Sequence, residues 1–317
     1  MERVVDIYEA KNFYFNQKIK RRLRFLCSDE LCRQIKEPVV IGVNYWKLVG
    51  GEEQFCNRPH FRRHGDFAHH NLCFKLELYE AKKELEKELS RNSPSGRRKL
   101  SDVVDIFSPF DGQEAGDTRL IEQEDAVYRE VRKIASKHGR IEALKEYLRK
   151  SPTRSRMLQE VVSCFITLSP DERRSTVLRI GGIRETYETA FRKISQIDRH
   201  RNNIYFGGVR VSHYKQKSGD VGDAPLLTGY VLNFYDPVII NGAEHRVSLF
   251  VSVFKLARYK YRASLKHLLE EAATKNIPYL RCFFWGGFEV VPEHQSVKIL
   301  IGHFNNIHFV EPPAPRR

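Results

Sequence analysis

The sequence predicts an α+β protein, because the spacing of its apolar residues changes twice along the chain. Helical and strand-like runs are mixed over residues 1–89, a helical period dominates residues 119–201, and alternation returns over residues 202–317. A polar, basic stretch over residues 90–118 separates the first two regions. We therefore expect an N-terminal mixed region, a flexible linker, a central helical subdomain and a C-terminal antiparallel or mixed sheet with one covering helix.

The composition limits the kinds of protein that the chain can be. A hydrophobic share of 41% over 317 residues is ordinary for globular proteins, which excludes wholesale disorder. The apolar runs are too short to span a membrane, and no internal repeat indicates a solenoid or a propeller. An excess of 54 Lys and Arg over 40 Asp and Glu gives a net charge of +14, which favours a polyanionic partner.

The cysteine content and the first residues both indicate an intracellular protein. Six Cys in a chain of this length are too few for a disulfide framework. The first residues lack the basic stretch, apolar core and cleavage site of a signal peptide. We expect reduced thiols and a cytoplasmic or nuclear location.

Two strands and a helix are expected in the N-terminal region. Residues 39–48 are rich in β-branched and aromatic side chains and are followed by two Gly, which indicates a strand and a turn. Residues 72–78 alternate and predict a second strand. Over residues 80–89, apolar residues recur every four positions among alternating charges, which predicts a solvated helix.

The linker and the helical subdomain occupy the middle of the chain. Residues 90–99 have the Ser, Pro, Gly and basic side chains of a flexible segment, whereas the short apolar patch at 103–107 is suited to dock on a domain. Four or five short helices are expected over residues 119–201, one of them starting after Ser169. The most regular apolar stripe covers residues 183–197 and follows a pair of Gly.

Five strands and one helix are expected in the C-terminal region, where aromatic residues are dense. The strands cover residues 203–213, 227–235, 246–254, 279–290 and 297–309, and the helix covers residues 263–274. This order predicts an antiparallel or mixed sheet with the helix on one face. The Pro-rich last residues are expected to form a short disordered tail.

A segment rich in Cys and His is the best candidate for a metal site. Cys56 and His60 form one close pair, and His69 and Cys73 form another. Zinc prefers four nitrogen and sulfur ligands, commonly as two close pairs separated by a loop. The arrangement is loosely similar to the Cys-His-His-Cys fingers of certain RNA-binding proteins, although the spacings differ. These four residues therefore predict a structural zinc site.

Other interpretations of the same segment stay open. Cys27 and Cys32 are a further pair with a wider spacing, so a site could combine them with Cys56 and either His60 or Cys73. Without a metal, the His side chains would be surface residues and the Cys side chains small buried ones.

Two basic segments are candidates for contact with phosphate groups. The first contains Lys18, Lys20, Arg21, Arg22 and Arg24. On a helix these side chains would form a cationic face that neutralises phosphates. A nuclear-import signal and an ordinary solvated surface are the alternatives.

The second basic segment interleaves cations with aromatic rings. It contains Lys255, Arg258, Tyr259, Lys260 and Tyr261. Tyr rings next to cations suit stacking on unpaired bases, and we expect Tyr259 to stack. In the alternative, one Tyr packs inward and the cations cover the rim.

These observations predict a nucleic-acid-binding protein, with RNA favoured over DNA and no catalysis. One alternative is a metal-dependent nuclease that uses Asp66, Glu80 and Lys82. Another is a structural assembly protein of a ribonucleoprotein or viral particle, with protein partners or self-assembly. Neither a P-loop nor a dinucleotide fingerprint is present in the sequence.

Overall fold

Three sheets and the helices packed on them make up the described part of the chain. The computed structural model describes residues 6–47, 50–51, 59–65, 67–92, 103–109, 127, 129–150, 153–198, 203–216, 226–274 and 279–311. Helices and strands both contribute to the packed layers, which confirms the predicted α+β class. The predicted tail and most of the predicted linker lie outside the described residues. None of the helices within these ranges has the length and apolar character needed to cross a membrane.

The N-terminal region folds into two helices and a small antiparallel sheet. In chain order its elements are α1 (Ile7–Asn16), β1 (Phe25–Leu26), α2 (Glu30–Lys36), β2 (Val39–Val43), β3 (Gly50–Gly51) and β4 (His60–Arg63). β2 pairs with β1 on one side and with β4 on the other, whereas β3 joins the C-terminal sheet. Asp6 and Glu9 form a capping box that fixes where α1 begins.

A long helix follows the small sheet. α3 (Phe74–Asn92) packs against α4 (Lys137–Lys150). The strand predicted over residues 72–78 is wrong, because α3 begins within that segment. Its apolar residues alternate, but Phe74 and Ala81 also share one helical face, and this face packs against α4.

Charged side chains hold α3 against α4. Glu77 and Arg140 are both buried, and Arg140 Nη2 lies 2.8 Å from Glu77 Oε1. Arg140 also donates to the carbonyl oxygens of Ile134 and Ala135. Removing one partner of such a pair costs about 3–5 kcal/mol, because the other charge stays buried without compensation.

The middle of the chain forms a four-stranded sheet with short helices. Its elements are β5 (Ile106–Phe107), β6 (Arg154–Ser155), α5 (Leu158–Thr167), α6 (Pro170–Ser175), β7 (Val177–Ile180), β8 (Ile183–Thr186) and α7 (Tyr187–Ala190). The strand that follows, β9 (Phe191–Lys193), pairs with the C-terminal sheet instead. The helix start predicted after Ser169 is confirmed by a capping box with Glu172. The apolar patch at 103–107 docks as predicted, since it contributes β5 and buries Phe107.

The helix predicted over residues 183–197 is wrong. The structure divides these residues among β8, α7, β9 and one 3-10 turn, Ile194–Gln196. Gly181 and Gly182 both have positive φ and turn the chain back, so that β8 pairs with β7. Thr186 then caps a helix of only four residues. Pairing with β7 outweighs the helical spacing of the apolar side chains.

The C-terminal region forms the largest sheet. Its elements are β10 (Ile204–Gln216), β11 (Leu226–Phe234), β12 (Val238–Ile240), β13 (Ala243–Ser252), α8 (Val253–Ala257), α9 (Arg262–Ala273), β14 (Leu280–Trp285), β15 (Gly287–Val291), β16 (Ser296–Leu300) and β17 (Ile307–Glu311). The strand order is β15-β16-β13-β11-β10-β14-β17-β3, a mixed sheet in which β13–β16 and β17–β3 are parallel. The predicted helix is confirmed, and the first three predicted strands are present, although Val253 and Phe254 at the end of the third belong to α8. The structure divides each of the last two predicted strands: residues 279–290 form β14 and β15, and residues 297–309 contribute to β16 and β17. Gly286 lies between β14 and β15, where a Cβ would lie 2.3 Å from the carbonyl oxygen of Leu300.

Helices pack on both faces of this sheet. Phe283 and Phe284 are neighbours on β14, so their side chains point to opposite faces. Phe284 belongs to the core that includes Tyr230 and Leu269 of α9. Phe283 packs with Phe165 of α5.

Helix α1 joins the N-terminal region to the C-terminal region. Asn12 Oδ1 accepts a hydrogen bond of 2.8 Å from the backbone N–H of Ala263 at the start of α9. Tyr261 donates its hydroxyl to Asp6 at 3.0 Å, and Lys260 Nζ lies 3.1 Å from Glu9. These contacts hold α1, and with it the small sheet, against the larger sheet domain.

Candidate metal centre and the groove beside it

Three Cys and one His meet in the N-terminal region. Cys27 follows β1, Cys32 lies on α2, His69 lies in the loop after β4, and Cys73 comes directly before α3. One ligand atom from each of them lies within 4.8 Å of all the others. The three Cys side chains are buried. Four such residues could hold a metal ion.

The distances between these atoms fit the edges of a tetrahedron around zinc. Zn–S bonds of about 2.3 Å and Zn–N bonds of about 2.0 Å place sulfurs about 3.8 Å apart and sulfur and nitrogen about 3.5 Å apart. The Sγ atoms of Cys27 and Cys73 are 3.7 Å apart. His69 Nδ1 lies 3.5 Å from Cys32 Sγ and 3.5 Å from Cys73 Sγ. Three of the six edges therefore have the lengths that a tetrahedral zinc site requires.

The backbone around the four side chains is fixed by a buried carboxylate. Asp29 accepts from the backbone N–H of Cys32 at 2.9 Å, and so caps α2. Its other oxygen accepts from the N–H of Phe74 at 3.1 Å, at the first turn of α3. The N–H of His70 points at Cys32 Sγ from 3.3 Å. One Asp thus ties together the start of α2, which contains Cys32, and the start of α3, which follows Cys73.

The thiols influence one another's ionisation. A hydrogen bond donated by Cys73 lowers the pKa of Cys27 to about 5, and the same contact raises the pKa of Cys73. Burial raises the pKa of Cys32. Cys27 is thus poised as a thiolate while its neighbours keep their protons. A soft divalent cation that takes thiolate ligands would replace those protons.

The sequence predicted two of these four residues in its main ligand set, and its alternative set with Cys73 contained three of them. His69 and Cys73 are in the cluster, and the separate pair of Cys27 and Cys32 completes it. His60 lies on β4 and is not part of the group, while Cys56 lies outside the described residues. The spacing of residues along the chain does not show that Cys27 and Cys32 lie near Cys73. The pairing of β1 with β2 places them beside the loop before α3.

The first basic segment is not a helix. α1 ends at Asn16, and the chain then runs without regular structure to β1. Its five cationic side chains are exposed: Lys18, Lys20, Arg21, Arg22 and Arg24. Lys20 Nζ donates to the carbonyl oxygen of Phe15 at 2.6 Å, and the Arg22 guanidinium stacks 4.3 Å from the centre of the Trp46 ring. The cationic face therefore lies along an extended strip.

The second basic segment serves packing, not base stacking. Tyr259 is buried and donates its hydroxyl to Asn305 at 2.9 Å, so the prediction that it stacks on bases is wrong. Tyr261 and Lys260 hold α1. The Arg258 guanidinium lies 4.3 Å from the centre of the Phe254 ring. Lys255 and Arg258 remain exposed on the surface.

The residues of the nuclease alternative gain no support. Glu80 and Lys82 lie on α3, and Glu80 pairs with Lys137 of α4 at 2.8 Å. Asp66 lies outside the described residues. Glu80 thus belongs to a helix–helix contact.

A groove of about 1210 Å³ lies directly beside the group formed by the three Cys and His69. Its walls come from α1, the small sheet and the first turns of α3, and both Cys27 and His69 line it. Phe61, Arg62 and Arg63 of β4 also line it. Sequence reasoning missed the groove, because the elements that form it are distant along the chain.

Comparison with protein-family models, with curated proteins and with solved structures finds no match to this chain. Its function therefore has to be inferred from the chemistry of the site itself.

Proposed function

We propose that this protein binds nucleic acid, with RNA favoured, through a basic N-terminal region that a structural zinc ion holds together. Cys27, Cys32, His69 and Cys73 are the zinc ligands. The observation that carries the proposal is the set of three tetrahedral edge lengths among these four ligand atoms, beside a groove that Arg24, Arg62 and Arg63 line.

The zinc ion has a structural role. Four protein ligands complete a tetrahedron and leave no position for a reactive water, which separates structural from catalytic zinc sites. The ligands come from two segments, one at β1 and α2 and the other between β4 and α3. A shared ion would therefore cross-link these two segments, which also meet through the β1-β2-β4 sheet and the hydrogen bond from Phe74 to Asp29.

The charge around the zinc supplies the affinity. The cations of the strip from Lys18 to Arg24 and the two Arg of β4 are exposed. Of these, Arg24, Arg62 and Arg63 line the groove that two of the proposed ligands also line. Cations that neutralise phosphates release counterions, so binding weakens steeply as salt rises. A reducing compartment, cytoplasmic or nuclear, keeps the thiols available for the metal.

The test is binding of the full chain to labelled RNA and DNA at several salt concentrations, with zinc content measured on the same samples. We expect about one zinc per chain and salt-dependent binding without shortening of the probe. Apoprotein made with a chelator should bind more weakly and recover when zinc is restored. Binding that is absent at low salt, or that is independent of zinc, would overturn the proposal, and probe shortening would indicate a nuclease.

A further inference from the structure

We infer that the groove beside the zinc centre is the binding site for a single strand of nucleic acid. The inference deepens the proposed function by naming the site and the form of the ligand. It depends on the lining of the groove, not on the net charge of the chain.

The first observation is the charge of the lining. Five basic side chains face the groove: Arg24, Arg33, Arg62, Arg63 and Lys75. Glu37 is the single carboxylate among its described lining residues. Arg62 and Arg63 are exposed on β4, where it pairs with β2. Such an excess of cations is complementary to a phosphate backbone.

The second observation is the presence of exposed aromatic rings among these cations. Phe13 is 38% exposed, Phe61 is 38% exposed and Tyr79 is 53% exposed. All three line the groove, one each from α1, β4 and α3. Large rings held at a surface beside Arg are the combination by which proteins stack unpaired bases.

These two features favour a single strand over a duplex. Bases within a duplex are already stacked on each other, so their faces are closed to the rings in the groove. Pockets for drug-sized molecules measure about 300–1,000 Å³, so this groove has room for a few nucleotides. Contact through stacking and phosphates tolerates any sequence, because every base has an aromatic face.

The zinc centre sets the shape of this groove. Cys27 and His69 line it and are also metal ligands in the proposal. The loop that contains His69 connects β4 to α3, and these two elements supply Phe61 and Tyr79. Metal binding therefore fixes the spacing between two of the three rings.

The experiment compares two charge variants that differ only in location. Arg62→Ala with Arg63→Ala removes two cations from the groove, whereas Arg210→Ala with Arg246→Ala removes two exposed cations from strands of the C-terminal sheet. With a single-strand slope of about −0.7 per phosphate and equal binding extrapolated to 1 M salt, the groove variant should bind about 25-fold more weakly at 0.1 M salt. Its slope of log affinity against log salt should flatten by about 1.4. The sheet variant should keep the wild-type affinity and slope.

A second pair of variants tests stacking. Tyr79→Ala should weaken binding of a single strand about 5- to 150-fold, whereas Tyr214→Ala, which removes a ring that is 50% exposed on β10, should not. Melting temperature and zinc content show whether each variant is folded. Single-stranded RNA, single-stranded DNA and a duplex of equal length are the probes.

The outcomes separate the site from the general function. If wild-type protein binds single strands and both groove variants bind equally well, this site is wrong although the proposed function stands. If the duplex binds as tightly as either single strand, the stacking argument is wrong. If wild-type protein binds none of the probes, the proposed function fails as well.

Discussion

The N-terminal region and the C-terminal sheet are stabilised in different ways. The C-terminal sheet buries a continuous apolar core between its strands and α9, with Tyr230, Leu249 and Leu269 almost fully enclosed. The small N-terminal sheet has strands of only two to five residues, and Cys27, Cys32 and Cys73 are the buried members of one of its clusters. Small units that cannot bury enough apolar surface commonly rely on a metal or a disulfide.

This difference relates stability to function. The region with the smaller apolar core is also the region in which exposed cations and rings line one groove. A larger apolar core in this region would require other parts of the chain to cover the groove. Metal ligands stabilise a fold from its interior, so the groove can stay open to a ligand. The sheet domain then serves as the base against which α1 holds the smaller region.

The largest expected effect is a local loss of structure when a zinc ligand is removed. Cys32→Ala should abolish tight zinc binding, because structural zinc contributes about 10–16 kcal/mol to folding in small zinc domains. Backbone amides of residues 25–43 and 59–73 should then exchange with solvent much faster, while those of β10, β11 and β13 keep their protection. Hydrogen exchange followed by mass spectrometry measures both regions in one sample.

A matched control is available for this variant. Cys282→Ala also removes a buried thiol, but from β14 in the core of the large sheet. It should leave zinc content unchanged and lower the stability of the sheet slightly. Equal loss of protection in both regions after Cys32→Ala would contradict the view that the C-terminal sheet is stable without the metal site of the N-terminal region.

The next largest effect concerns α3, which begins next to the proposed zinc ligand Cys73 and packs against α4. Arg140→Met leaves Glu77 buried without its partner and should cost about 3–5 kcal/mol in unfolding by urea. Lys150→Met breaks an exposed pair with Glu146 and should cause no measurable loss. Zinc content should stay the same in both variants. A similar cost for both would show that burial of the Glu77 pair is unimportant.

A smaller effect concerns the dependence of the C-terminal sheet on pH. Burial, with a contribution from Lys11, lowers the pKa of His308 on β17 from 6.5 to about 3. Between pH 6.5 and pH 3, His308 is protonated in the unfolded chain and neutral in the folded chain. The free energy of unfolding therefore falls as pH is lowered through this range. At pH 5 the loss is at most about 2 kcal/mol. His308→Gln should flatten the dependence of β17 protection on pH without changing zinc content, and an unchanged dependence would contradict this assignment.

Periodicity predicted β13 of the large sheet because the two faces of this strand differ in exposure. Val247 and Leu249 are buried whereas Arg246 and Phe250 are exposed, so the alternation is visible in the sequence. The same method failed over residues 183–197, where two Gly with positive φ and pairing with β7 decide the structure. Local spacing carries no information about such partners.

The metal site was predictable only in part, for a related reason. His69 and Cys73 are close in sequence and meet without help from the rest of the fold. Cys27 reaches them only because of strand pairing and helix capping by Asp29. The groove also forms only in the folded structure, because Phe13, Phe61 and Tyr79 come from three separate elements.

X-ray absorption at the zinc edge of the purified full chain directly tests whether the three Cys and His69 bind zinc. We expect about one zinc per chain, surrounded by three sulfurs at about 2.3 Å and one nitrogen at about 2.0 Å. In Cys32→Ala protein, any remaining zinc should lose one sulfur. A chain without zinc, or a zinc ion with mainly oxygen ligands, would contradict the claim that Cys27, Cys32, His69 and Cys73 form its binding site.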